Sequence, residues 1–146
     1  MRSDKALSSV LIIDDDEIEV MLYSRLCKRS DVVGRIDAIH DPEAALQHLL
    51  SLPKVEYDLI FVDYNMPCLD GIELLQMLQE KSDHPVSKAN IVMLTSSICP
   101  ADEAAARGCS LLSDFITKPL TEDMLFKLAQ RYGSDVGVTA QSSPAA

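Results

Sequence analysis

The chain has 146 residues, 47% of them hydrophobic, which suits one globular domain with a sizeable buried core. Its 13 Lys and Arg against 23 Asp and Glu leave a formal charge of −10, a balance that opposes binding to DNA, whose phosphate backbone needs clustered cations. No apolar run reaches the roughly 18 residues of a membrane span, and the opening MRSDKALSSV is too polar and short for a signal peptide, so a cytoplasmic protein is expected.

Along the chain the apolar period switches repeatedly. Residues 9–13 (SVLII) read as a short strand buried on both faces, and residues 17–29 carry apolar positions at 18, 22 and 26, one face of a helix. Residues 33–39 form a second strand. Asp41-Pro42 then opens a helix, Asp accepting from free backbone N–H groups and Pro giving up no needed donor, and the helix runs on towards Pro53. Residues 59–62 are a third strand and residues 72–81 a third helix, with Leu74, Leu75 and Leu78 inward. Residues 91–94 (IVML) form a fourth strand, 101–107 an Ala-rich helix, and 115–117 a short fifth strand. Thr121 caps a last helix that stops at Gly133.

Strands alternating with amphipathic helices imply an α/β fold, a parallel five-stranded sheet with helices on both faces. The flavodoxin-like (βα)5 sandwich with strand order 2-1-3-4-5 is the expectation. Residues 1–7 read as an N-terminal extension, 8–132 as the domain and 133–146 as a flexible tail, with no room for an output domain.

In such a sheet all the carboxyl ends lie on one edge, where ligands bind at the switch point between strands 1 and 3. There the sequence places Asp14-Asp15-Asp16, Asp63, Thr95-Ser96-Ser97 and Lys118-Pro119. Singly, each has a plain structural use: a helix-capping acid, a turn hydroxyl, a solvated lysine. Together they crowd carboxylates that repel one another, and a divalent cation relieves the repulsion. Oxygen donors without His or Cys suit magnesium or manganese, and magnesium keeps waters that a phosphate oxygen can replace. An Asp can act as a nucleophile towards phosphorus, with the metal and Lys118 offsetting the charge. Cysteines at 27, 68, 99 and 109, with His at 40, 48 and 84, show no zinc spacing; free thiols in a reducing compartment are expected.

The stretches VLIIDDDE (10–17), DLIFVDYNMPCLDGIELL (58–75), IVMLTSS (91–97) and DFITKPL (114–120) resemble the receiver domain of a two-component response regulator, over residues 8–132. The resemblance implies that Asp63 is the phosphoacceptor and that Asp14 and Asp15 are the acid pair, Asp15 touching magnesium directly. It makes the backbone carbonyl of Asn65 a further metal ligand, Thr95 the switch hydroxyl, Lys118 the lysine that pairs with acceptor and phosphate, and Phe115 the switch aromatic, where Tyr is common. It implies a histidine kinase or histidine phosphotransferase as donor, an unknown downstream protein as target, and a monomer or weak dimer. Thr95 moving towards the phosphate would vacate space for Phe115, altering the surface of the fourth and fifth helices. One departure stands out: the segment GCSLLSDF before the lysine is longer than is usual, which points to a modified surface between the fourth helix and the fifth strand.

Three other readings compete. A haloacid-dehalogenase-type phosphohydrolase also uses an Asp after a strand, but needs a second acid where Asn65 stands. A flavin or nucleotide binder on the same fold would find Asp14 to Asp16 repelling its phosphates, and no Walker-type loop exists. A phosphorylation-independent scaffold receiver has normally lost an acid or the lysine, and this chain keeps both.

Overall fold

A computed structural model describes residues 5–80, 83, 85–96 and 99–133. Among them, five strands alternate with five helices: β1 (Leu7–Ile13), α1 (Glu17–Ser30), β2 (Val33–Ile39), α2 (Pro42–Ser51), β3 (Leu59–Asp63), α3 (Gly71–Gln79), β4 (Ile91–Thr95), α4 (Pro100–Arg107), β5 (Leu112–Thr117) and α5 (Glu122–Tyr132). All neighbouring strands pair in parallel, in the order β2-β1-β3-β4-β5. The flavodoxin-like expectation is met.

The sheet has apolar residues on both faces because successive side chains point to opposite sides. Along β1, Leu11 and Ile13 join one core with Ala45 and Leu49 of α2, Leu74, Leu75 and Leu78 of α3 and Ala106 of α4. Val10 and Ile12 join the other, with Val20 and Leu26 of α1 and Leu125 and Leu128 of α5. The two layers clamp β1 and β3 in the middle of the sheet, so whatever follows those strands is held rigidly.

Helix starts follow local chemistry. Asp41 accepts from Ala44 N with Pro42 opening α2, and Thr121 accepts from Met124 N. Asp70 and Glu73 form a complete capping box at α3: the Asp70 carboxylate accepts from Glu73 N at 2.8 Å, and Glu73 accepts from Asp70 N at 2.9 Å.

Several boundaries differ from the sequence reading. β1 starts at Leu7, inside the expected extension, because Leu7 and Ser8 pack under neighbouring elements. β5 starts at Leu112, three residues early. The register runs from Ile91↔Leu112 to Val92↔Asp114, so Ser113 is an inserted bulge residue. Its hydroxyl accepts from Ile91 N at 3.1 Å and its carbonyl from the Tyr132 hydroxyl at 3.0 Å, which anchors the extra length. Gly133 follows α5 with φ −81°, so it is not a left-handed cap. A Cβ there would lie 2.5 Å from the Ala129 carbonyl oxygen and 2.6 Å from that of Ala6, so close packing demands the glycine. The expected helix end at Lys81, the hydroxyl Ser97 and the tail from residue 134 lie outside the described residues.

Candidate functional site

β1 and β3 each end in a buried acid. Asp14 is 0% exposed and Asp63 4%, although both carry groups that water would solvate strongly. Each directly follows a run of buried apolar residues, Val10 to Ile13 and Leu59 to Val62, so the strand holds it at the carboxyl edge of the sheet. Lys118 follows β5; its N–H donates to the Thr95 carbonyl at 2.8 Å, which fixes the start of the segment beside β4. Its Nζ stands 2.6 Å from Asp63 Oδ1 and 2.7 Å from Glu19 Oε1. Carboxylate oxygens of Asp14, Glu19 and Asp63 all lie within 4.8 Å of one another. Asp14 Oδ1 accepts from Asp16 N at 2.9 Å, whereas Asp14 Oδ2 is buried with no hydrogen-bond donor among the described residues.

The electrostatics follow from this crowding. Burial, aided by the carboxylates of Glu19 and Asp63, pushes the Asp14 carboxyl up to about 8. Burial also raises Asp63; Lys118 opposes that shift without cancelling it, and the charges of Glu19 and Asp15 add to it. For Lys118, burial would lower the pKa, but the hydrogen bonds to Asp63 and Glu19 prevail and raise it, so the ammonium stays charged. The pocket is therefore a place where negative charge is in excess and one cation is firmly held.

The other sequence-derived residues are distributed around it. Thr95 is buried at the end of β4, beside the Lys118 segment. Asp15 and Asn65 are exposed on the loops after β1 and β3. Asp15 acts on Asp63 through its charge, but does not belong to the close group of three carboxylates. Phe115 is half-buried, packed against the core beneath α4, with the Arg107 guanidinium 4.9 Å from its ring centroid. Tyr64, next to Asp63, reaches the other way: its hydroxyl donates to Asp102 of α4 at 2.6 Å, linking the loop after β3 to the start of that helix. Glu19 is the functional candidate that sequence reasoning missed.

The Asp70-Gly71 pair has a structural task at this edge. Gly71 N donates to the Tyr64 carbonyl at 3.0 Å, folding the start of α3 back over β3. A Cβ on Gly71 would meet the Asp63 carbonyl oxygen at 2.9 Å and the Tyr64 Cα at 3.1 Å. Gly71→Ala is therefore expected to cost about 1–3 kcal/mol through overpacking, read as a lower urea midpoint at unchanged slope.

An all-oxygen donor set with one orphaned, buried carboxylate oxygen fits a hard divalent cation of the magnesium type. Over residues 10–130 the chain matches the family model described as the response regulator receiver domain. It is 26% identical over 140 residues to the signal transduction histidine-protein kinase BarA of Escherichia coli (strain K12), covering 94% of this chain and 14% of that protein. It is 25% identical over 133 residues to the hybrid signal transduction histidine kinase L of Dictyostelium discoideum, covering 90% of this chain and 8% of that protein. The chain thus spans less than a fifth of the length of either kinase. A crystal structure of a two component response regulator from Cytophaga hutchinsonii superposes with a TM-score of 0.76 at 28% identity, covering 88% of this chain and 98% of that one. No helix among the described residues is long and apolar enough to cross a membrane.

Proposed function

This chain belongs to the response regulator receiver domain family, and from that premise we propose that Asp63 accepts a phosphoryl group from a histidine kinase or histidine phosphotransferase and thereby switches a protein-binding surface. The observation that carries the reading is the ion pair between Lys118 Nζ and Asp63 Oδ1, buried at the carboxyl edge of the sheet beside Asp14.

In the transfer, an oxygen of the Asp63 carboxylate attacks phosphorus while the phosphorus–nitrogen bond of a donor phosphohistidine breaks. The imidazole leaves with the bond's electron pair and takes up a proton. Asp14, Asp15 and Asp63, with the Asn65 backbone carbonyl, would hold magnesium or manganese. When bound, the metal supplies positive charge that offsets the charge of the transferring group. Lys118 is already seated against Asp63, so its ammonium needs little rearrangement to donate to a phosphoryl oxygen instead. Water is kept from the back of the site by the apolar strands, which strengthens each of these interactions.

The new acyl phosphate adds strong acceptor oxygens. The Thr95 hydroxyl, held at the end of β4, would turn towards them, and Phe115 on the neighbouring strand would repack inward. Since the Arg107 guanidinium sits over the Phe115 ring, that movement would pull on α4 and change what the face of α4, β5 and α5 can bind. The partner expected there is a protein rather than DNA, given the formal charge of −10. The compartment proposed is the cytoplasm, where Cys27, Cys68, Cys99 and Cys109, all present as free thiols, would stay reduced.

Incubation with magnesium and acetyl phosphate, followed by intact-mass measurement, is expected to add one phosphoryl group per chain, and Asp63→Asn is expected to add none. Equal labelling of Asp63→Asn and wild type would overturn the assignment. Labelling that leaves partner capture unchanged would instead favour a scaffold role.

A further inference from the structure

Two helices in this protein begin with the pattern D-x-x-E: Asp16 to Glu19 at α1, and Asp70 to Glu73 at α3. At α3 the pattern closes as a capping box, with Glu73 accepting from the Asp70 N–H. At α1 it does not. The corresponding N–H, that of Asp16, donates to Asp14 Oδ1 at 2.9 Å. Asp16 still caps the helix, accepting from Ile18 N at 2.9 Å. Glu19 is thus released from the task its position normally performs.

The released side chain turns into the pocket. Glu19 Oε1 accepts from Lys118 Nζ at 2.7 Å, across 99 residues of sequence, and its carboxylate comes within 4.8 Å of those of Asp14 and Asp63. The neighbouring Asp14 Oδ2 is fully buried and has no donor among the described residues. Three carboxyl groups face a single ammonium, so acidic oxygens outnumber the cationic partner, and a divalent ion would draw the buried Asp14 into its charged form. Their surplus oxygen points to a ligand rather than to a finished salt bridge.

We propose that Glu19 is a further carboxylate of the cation site, which holds Lys118 in place before the phosphoryl group arrives and gives it up afterwards. This rests on the reading of the pocket as a divalent-cation site, and adds to it a residue on α1 that the acid pair and the acceptor do not include. The consequence for the reaction is directional. Glu19 strengthens cation binding by its charge, and it competes with an incoming phosphoryl oxygen for the same ammonium.

The test uses Mn2+ alone, titrated into the full chain and followed by the electron paramagnetic resonance of the free ion. Glu19→Gln is expected to weaken Mn2+ binding about tenfold. Glu17→Gln removes the same charge from an exposed position on the same turn and is expected to stay within about a factor of two of wild type. Glu19→Asp keeps the charge and withdraws the carboxylate by one methylene; an affinity nearer Glu19→Gln than wild type supports ligation by position. Equal affinities for Glu19→Gln and Glu17→Gln would overturn the proposal. Absence of Mn2+ binding by wild type would overturn the underlying cation reading instead, so the two failures are distinct. A second readout is the acyl-phosphate lifetime after removal of the donor: Glu19→Gln is expected to prolong it several-fold, since Lys118 then serves the phosphoryl group without a rival, and a shortened lifetime counts against the proposal.

Discussion

Replacing Lys118 by Met is expected to destabilise the metal-free protein by about 3 kcal/mol, and to slow labelling by acetyl phosphate at least tenfold. The two effects share one cause. Asp63 is buried, and the ammonium 2.6 Å from its Oδ1 is what makes that burial tolerable. Met preserves the length and apolar stem of the side chain, so the loss is of charge rather than of packing. It strands Asp63 and Glu19 beside Asp14, and breaking a buried pair by removing one partner costs about 3–5 kcal/mol. The low end applies because Glu19 is 31% exposed and its share of the pair is relieved by water. Against a total stability of about 5–15 kcal/mol for a domain, the change would be obvious in a urea titration run in EDTA. Magnesium should recover more stability in the variant than in wild type, because it supplies the positive charge the substitution removed. A midpoint within experimental error of wild type in EDTA would mean that the ion pair contributes no net stability.

How much of this could be read before the fold was known differs by residue. Asp14, Asp63 and Lys118 were legible because each directly follows an apolar run, and parallel topology sends every such residue to one edge. The helix starts were legible where the cap is local, as at Asp41-Pro42 and Thr121. Glu19 was not. Its sequence setting, D-x-x-E before an apolar helix face, is the same as that of Glu73; the carboxylate of Asp14, two residues earlier, takes the Asp16 N–H, and Lys118, 99 residues away, then draws the freed Glu19 side chain into the pocket. The start of β5 was hidden for a related reason: Ser113 and Asp114 are poor strand residues by themselves. They are drawn into the sheet by partners distant in sequence, the Ile91 N–H, the Tyr132 hydroxyl and the Arg131 guanidinium. The stacking of Arg107 on Phe115 likewise depends on how α4 lies over β5, which periodicity does not report. Where a residue's role is set by its neighbours in the chain, the sequence reveals it; where a contact from another element decides between two local uses, it does not.

Asp14→Asn should act in the opposite sense to the lysine variant, stabilising the metal-free protein while removing much of its response to magnesium. The wild-type carboxylate is fully buried, one oxygen lacks any donor among the described residues, and its neighbour Glu19 is itself an anion. An amide of the same shape removes the desolvated charge and offers an N–H to Glu19 at every pH, whereas the carboxyl offers a donor there only while it is protonated. The sign of the pH dependence follows from the same burial. The folded-state carboxyl is raised from 3.8 to about 8, so between those values the folded chain binds more protons than the unfolded chain. Wild-type stability in EDTA should therefore fall as pH rises through that window, and Asp14→Asn should flatten the fall. The gain from the substitution should be negligible near pH 4 and greatest above pH 8, where an increase in Tm of roughly 3–6 °C for each kcal/mol regained is the scale to expect. With saturating magnesium the order should reverse, because the cation rewards the carboxylate and not the amide. Thermal melts of both proteins across pH, with and without the metal, measure all of this in one series. A Tm for Asp14→Asn below that of wild type in EDTA at pH 8 would show that the buried charge is satisfied by something other than a cation, and the pocket would lose its reason to bind one.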